Sequence, residues 1–300
     1  MNLNLDKKRV KLSNGETLAY LEENPKGKET VLLVHGNFSS SVHWIRMIEE
    51  LKDKYHLLVP DLRGFGDSTY NKRISSFKEL ADDLALFLKE KKVESAYVFG
   101  WSLGGGVGME FAANHPKMTK KLVLIGSTTH KGYPVFKKDA EGNQLVGECY
   151  ASPEEMAHDP IQVAPLLAVQ KTQNLDFMKQ ALMALASKPI PDEELTLYAK
   201  ESLKQANLID ADWAISTMNM SSEPSHYSKG SDTIKNIACP VLHMWGSKDI
   251  WLAPEYMTLD NYNALRDNSK LIYYYDCGHM IFYDKREESI KDIINFLESK

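Results

Sequence analysis

Val98-Phe99-Gly100-Trp101-Ser102-Leu103-Gly104-Gly105 places one serine between two glycines, where an apolar run stops and a small-residue segment begins. Upstream, Ser95-Ala96-Tyr97-Val98-Phe99 reads as a buried strand. Downstream, Val107, Met109, Phe111 and Ala112 supply the apolar positions of a helix from about Leu103 to His115, and Pro116 follows its end. A residue on so sharp a strand-to-helix turn sits in strained backbone geometry. Glycines beside it remove the Cβ atoms that would collide with the neighbouring strand and helix. Ser102 is thereby pushed into a cleft, and the N-terminus of the following helix favours negative charge developing there.

The rest of the chain bounds what this serine can serve. Three hundred residues, 43% of them apolar, bury a large core. A net charge of −5 offers no basic field for nucleic acid or an anionic membrane. Met1 to Lys11 is charged and has no apolar leader, and no apolar run reaches transmembrane length, which leads to the expectation of a cytoplasmic protein without membrane insertion. Cys149, Cys239 and Cys277 are far apart, odd in number and not clustered with histidine, so they are expected to be free, buried thiols and no metal site is expected. Gly104, Gly105, Gly106 and Gly108 fit neither a Walker loop nor a dinucleotide fingerprint, and no organic cofactor is expected.

Short apolar strands alternate with helix-length amphipathic segments, the pattern of an α/β protein with a mostly parallel sheet and helices on both faces. Lys8 to Leu12 and Thr17 to Leu21 read as a hairpin. Val31 to Val34, His56 to Val59, the Ser102 strand and Lys121 to Ile125 follow, with helices near Val42 to Leu51 and Ser76 to Lys91. The alternation then lapses until Pro240 to Trp245. The expected division is a core of residues 1–128 and 235–300, with residues 129–234 as an inserted, mainly helical cap. That cap should open with a small hairpin around Asp139 to Asn143. Leu271 to Tyr275 is the last strand and Glu287 to Leu297 a closing helix.

With these residues in place, the chain resembles the α/β-hydrolase superfamily along essentially its whole length. The resemblance implies an eight-stranded, mostly parallel sheet and a serine hydrolase, with the nucleophile followed in sequence by an acid and then a histidine on later strand ends. Asp249 follows the strand ending at Trp245, and His279 follows the strand ending at Tyr275. Ser102, Asp249 and His279 are thus the expected catalytic residues. A serine hydroxyl is protonated at neutral pH and needs an imidazole to take its proton. The imidazole needs a carboxylate to fix its tautomer. Asp276, three residues before His279, is the rival acid. The other position used by relatives reads Gly126-Ser127-Thr128-Thr129 and has no carboxylate.

His35-Gly36-Asn37-Phe38 stands where the superfamily carries its oxyanion loop. The resemblance implies backbone N–H donors from Leu103 and Asn37, with Phe38 as the substitute. His35 is expected to brace the loop, and Asp61 and Arg63 to form theirs. A serine nucleophile separates the chain from haloalkane dehalogenases and epoxide hydrolases, which use aspartate. The oxyanion loop and elbow are similar to those of some acyl-homoserine-lactone hydrolases, and an ester or lactone is the expected substrate. Phe38, Trp101, Ile250 and Met280 adjoin the reactive residues and are expected to line the substrate pocket, with Trp213, Met218 and Met220 contributing from the cap. A C–C bond hydrolase of ring-cleavage products and a slow-turnover ligand receptor are the alternatives. A monomer or homodimer is expected.

Overall fold

The computed structural model describes residues 5–299; residues 1–4 and 300, the outermost of the expected core segments, lie outside the described residues. Strands β1 (Lys8–Lys11), β2 (Thr17–Glu23), β3 (Thr30–Val34), β4 (His56–Pro60), β5 (Ala96–Trp101), β6 (Thr119–Ile125), β9 (Val241–Gly246) and β10 (Ser269–Tyr274) form one eight-stranded sheet. Its order is β1-β2-β4-β3-β5-β6-β9-β10. β2 runs antiparallel to both β1 and β4, and the remaining pairs are parallel. β7 (Phe136–Lys138) and β8 (Gln144–Cys149) pair separately as an antiparallel hairpin.

The sheet is covered on both faces, which is why its central strands are apolar throughout rather than alternating. Leu33, Phe99 and Val123 point to one face, with α1 (Ile45–Leu51) among the elements packed there. Leu32, Val98 and Leu122 point to the other, with α2 (Phe77–Glu90) and α3 (Leu103–Asn114). Between β6 and β9 the chain forms α4 (Pro153–Met156), α5 (Ala164–Lys171), α6 (Leu175–Met183), α7 (Asp192–Ser202) and α8 (Leu208–Thr217) as well as the hairpin. It closes with α9 (Glu255–Ala264), α10 (Ile281–Asp284) and α11 (Arg286–Glu298). The helix expected over Val42 to Leu51 is divided: Ser41–Trp44 is a tight 3₁₀ turn capped by Ser40, and α1 begins only at Ile45. The cysteines are unpaired, but only Cys277 is buried; Cys149 and Cys239 are half-buried.

Parallel register sets the carboxyl ends of the strands along one edge. Val31 to Val34 lie beside Tyr97 to Gly100, and Gly100 and Trp101 beside Leu124 and Ile125. The loops that leave β3, β5, β6, β9 and β10 therefore converge. This is where open α/β sheets hold their ligands. α3 reaches that edge only because Gly104 lies against β3: a Cβ on Gly104 would sit 2.3 Å from the Val34 carbonyl oxygen and 2.4 Å from that of His35. Both obstacles are backbone. Gly104→Ala should lower stability by about 2 kcal/mol or more, the scale of an overpacked core, read as a drop in the urea midpoint at unchanged slope.

Candidate active site

Ser102 occupies the turn between β5 and α3 at φ +58°, ψ −124°, a strained conformation for a residue other than glycine. Its backbone holds the turn. The N–H donates to the Ile125 carbonyl (3.0 Å), and the Ser102 carbonyl accepts from the N–H groups of Gly105 (2.9 Å) and Thr128 (3.2 Å). Gly36 packs so close that a Cβ there would lie 2.9 Å from that of Ser102. Leu103 opens α3, where a backbone N–H has no intrahelical carbonyl to meet.

Across the sheet edge, His279 Nδ1 lies 2.5 Å from Asp249 Oδ2, and both side chains are almost completely buried. Asp249 Oδ1 accepts the Ala253 N–H at 3.1 Å, so the carboxylate is held from its other side. Asp276 is the acid that does not meet the imidazole; its carboxylate is 83% exposed and pairs with Lys248 at 3.3 Å. Gly126, at φ +48°, lines the same cavity as Ser102 and lies against the Asp249–His279 pair. A Cβ on Gly126 would stand 3.1 Å from His279 Nδ1 and 3.3 Å from Asp249 Oδ2.

Sequence reasoning missed the residue that holds the His279 loop. Asp284, fully buried at the end of α10, accepts the Gly278 N–H (2.7 Å) and those of Ser187 and Lys188 (2.8 and 2.9 Å), tying that loop to the segment after α6. A buried acid on a short amphipathic turn leaves no distinctive pattern in the sequence.

The oxyanion-loop region is braced from behind. His35 is fully buried; its Nδ1 lies 2.9 Å from the Gly36 carbonyl and its Nε2 accepts the Leu62 N–H at 3.0 Å, so Nδ1 carries the proton. Burial pushes this imidazole down to about 4. Asp61 accepts the Ser41 N–H, and Arg63 makes two hydrogen bonds to Asp83 (2.7 and 2.6 Å), so both are loop-forming. Asp61, Asp67 and Glu201 lie close enough together to hold a cation, and the Lys7 ammonium sits among them at 2.5 to 2.9 Å. The Phe38 N–H donates to Gln205 Oε1 at 2.8 Å, which removes it as the substitute donor.

A cavity of about 450 Å³ opens over Ser102. Ser102, Leu103, Asn37, Gly126 and Thr128 form part of its wall, faced by Asp212 and Ile215 of α8 and by apolar side chains of the intervening segment. Trp251, Leu252, Ile161 and Phe177 also line it and are exposed. None of the four residues expected to line the pocket does so. Trp101 and Met280 are buried in the core, Phe38 packs against the same core, and Ile250 is 58% exposed outside the cavity. Met218 and Met220 belong to the opposite core, and Trp213 packs with Val135 and Tyr150.

The family model for the alpha/beta hydrolase fold matches residues 29–286. The chain belongs to this family. Among curated relatives, Lipase 1 of Psychrobacter immobilis is 26% identical over 289 residues, which is 95% of this hydrolase and 82% of the lipase. Among solved structures, an esterase from Exiguobacterium antarcticum superposes with a TM-score of 0.74 at 18% identity, covering 98% of this chain and 100% of that one. The enol-lactonase of Burkholderia xenovorans LB400 superposes with a TM-score of 0.71 at 16% identity, covering 97% and 100%. The hydrolase shares their fold. No helix among its described residues is long and apolar enough to cross a membrane.

Proposed function

We propose that this hydrolase cleaves carboxylic esters or lactones through an acyl-enzyme on Ser102, with His279 as general base and acid and Asp249 orienting it. The observation that carries the reading is the Asp249–His279 pair at 2.5 Å, beside Gly126 in the wall of the cavity that holds Ser102. Ser102 Oγ attacks the carbonyl carbon while His279 Nε2 takes its proton, and Asp249 keeps the other ring proton on Nδ1. The oxygen of the tetrahedral intermediate gathers negative charge against the N–H groups of Leu103 and Asn37. His279 then returns the proton to the departing alkoxide, and a water deprotonated by the same imidazole releases the acid.

A lactone reacts by the same steps, with the alkoxide staying tethered. Residues 129–234 fit a cap over this chemistry, since Tyr133, Val135, Ile161, Val163, Leu166 and Asp212 all line the cavity. A C–C bond hydrolase of ring-cleavage products would need a cation for the substrate carboxylate. Among the described residues no lysine or arginine lines this cavity and an aspartate does, which favours the neutral ester.

A fluorophosphonate should add once per chain, on Ser102, by peptide mass spectrometry. Label elsewhere, or none, would overturn the assignment. Initial rates by pH-stat on a linear acyl ester and an acyl-homoserine lactone of equal chain length separate the two substrate classes: the faster of them names the activity.

A further inference from the structure

Asp212 is the one ionisable acid among the residues that line the cavity, and its surroundings leave it short of partners. Its Oδ1 accepts a single long hydrogen bond, 3.4 Å, from Asn37 Nδ2. That amide is not free to turn closer, because Asn37 Oδ1 accepts from Gln205 Nε2 at 2.8 Å, and Gln205 Oε1 in turn holds the Phe38 N–H. A carboxylate offers about four acceptor sites, so one weak donor leaves most of its capacity directed at the cavity. Thr128, which is 95% buried on the same wall, has a hydroxyl without a hydrogen-bond partner among the described residues. Asp212 is half-buried at the cavity wall, whereas the Thr128 hydroxyl is sealed off behind it.

Resting on the ester reading above, we infer that Asp212 is a specificity-determining residue that accepts a hydrogen bond from a hydroxyl or ammonium group carried by the substrate within a few bonds of the scissile carbonyl. The placement follows from Asn37, whose side chain meets Asp212 and whose backbone N–H is the proposed oxyanion donor. Recognition at Asp212 and polarisation of the carbonyl therefore occur on adjacent parts of one substrate. Desolvation, reinforced by the negative charge of Asp159, raises the Asp212 carboxyl to about 7, as expected of an acid whose partner is not supplied by the protein. The same carboxylate repels substrates with a second acid group.

The test compares kcat/KM at pH 8 for methyl butyrate, methyl 3-hydroxybutyrate, methyl 3-aminobutyrate and monomethyl succinate, using wild type, Asp212→Asn and Asp212→Leu. Wild type should favour the hydroxy and amino esters over methyl butyrate by about tenfold or more, as one satisfied hydrogen bond to a charged acceptor allows, and should rank monomethyl succinate last. Asp212→Leu should erase the ratios. Asp212→Asn, nearly isosteric and the safer variant for folding, should keep the hydroxyl preference, lose the ammonium preference and improve monomethyl succinate relative to methyl butyrate. Equal ratios in wild type and both variants would overturn the inference alone. No cleavage of any ester by wild type would overturn the ester reading and this inference with it.

Discussion

Ser102→Ala is expected to reduce kcat on any ester substrate by about 10⁴-fold or more, the scale seen when a serine nucleophile is lost, with no loss of stability. The second half of that expectation comes from the backbone. The turn is held by the Ser102 N–H and carbonyl, whose partners are Ile125, Gly105 and Thr128, and alanine keeps all three hydrogen bonds. Alanine also keeps the Cβ, so the strain of φ +58° is the same in both proteins. Ser102→Gly makes the complementary case: it should be equally inactive yet more stable by about 1 kcal/mol, because glycine adopts this φ at little cost. Urea midpoints and single-turnover rates of the three proteins check both halves. A Ser102→Ala protein retaining more than a few percent of turnover would return Ser102 to a structural role.

The elbow was legible because its signals are local. An apolar strand stops, glycines flank one polar residue, and a helix begins, all within ten positions. Asp249 and His279 were legible for a related reason: each follows directly on an apolar strand, and parallel strands end on one edge. The cavity lining was not. Trp101 and Met280 adjoin Ser102 and His279 in sequence, but consecutive side chains leave a strand end or a turn in different directions, so both point into the core. The side chains that meet the substrate space, such as Tyr133, Val163 and Asp212, come from distant elements whose placement depends on how the helices between β6 and β9 pack. Asp212 was hidden for a further reason. Asp210, two residues earlier on α8, is a buried acid whose partners Arg73 and Tyr70 come from the protein itself, and no periodicity distinguishes the two.

Acid should destabilise this protein well above the pH at which carboxylates alone would do so. Four buried histidines, His130 among them, are held neutral. His35 is pushed down to about 4, and His43 and His243 to about 3, in each case chiefly by desolvation. His43 stacks on Tyr198 at 4.7 Å and its Nδ1 accepts the Ser40 N–H, so a proton there would set two donors against each other; the same holds for His35 Nε2 and the Leu62 N–H. In the unfolded chain these imidazoles titrate near 6.5. Because the folded values are the lower ones, the stabilisation is complete above about 6.5 and is lost as pH falls towards 4. Asp212 opposes this, since its raised carboxyl takes up a proton in the folded state below about 7. Burial raises the Asp83 and Glu110 carboxyls as well, so the acids offset part of the histidine effect, and each uncompensated histidine contributes about 1.4 kcal/mol per pH unit. Against a total stability of about 5–15 kcal/mol, such a slope should lower the urea midpoint progressively between pH 6 and 4. Urea midpoints at half-unit steps of pH measure it. His243→Leu isolates one contribution: its Nδ1 is buried without a hydrogen-bond partner among the described residues and its Nε2 meets only the half-buried Ser269 hydroxyl at 3.1 Å, so the apolar replacement should cost about 1 kcal/mol at pH 7 and lower the slope by about 1.4 kcal/mol per pH unit. A slope unchanged in His243→Leu would show that His243 does not contribute to the acid sensitivity.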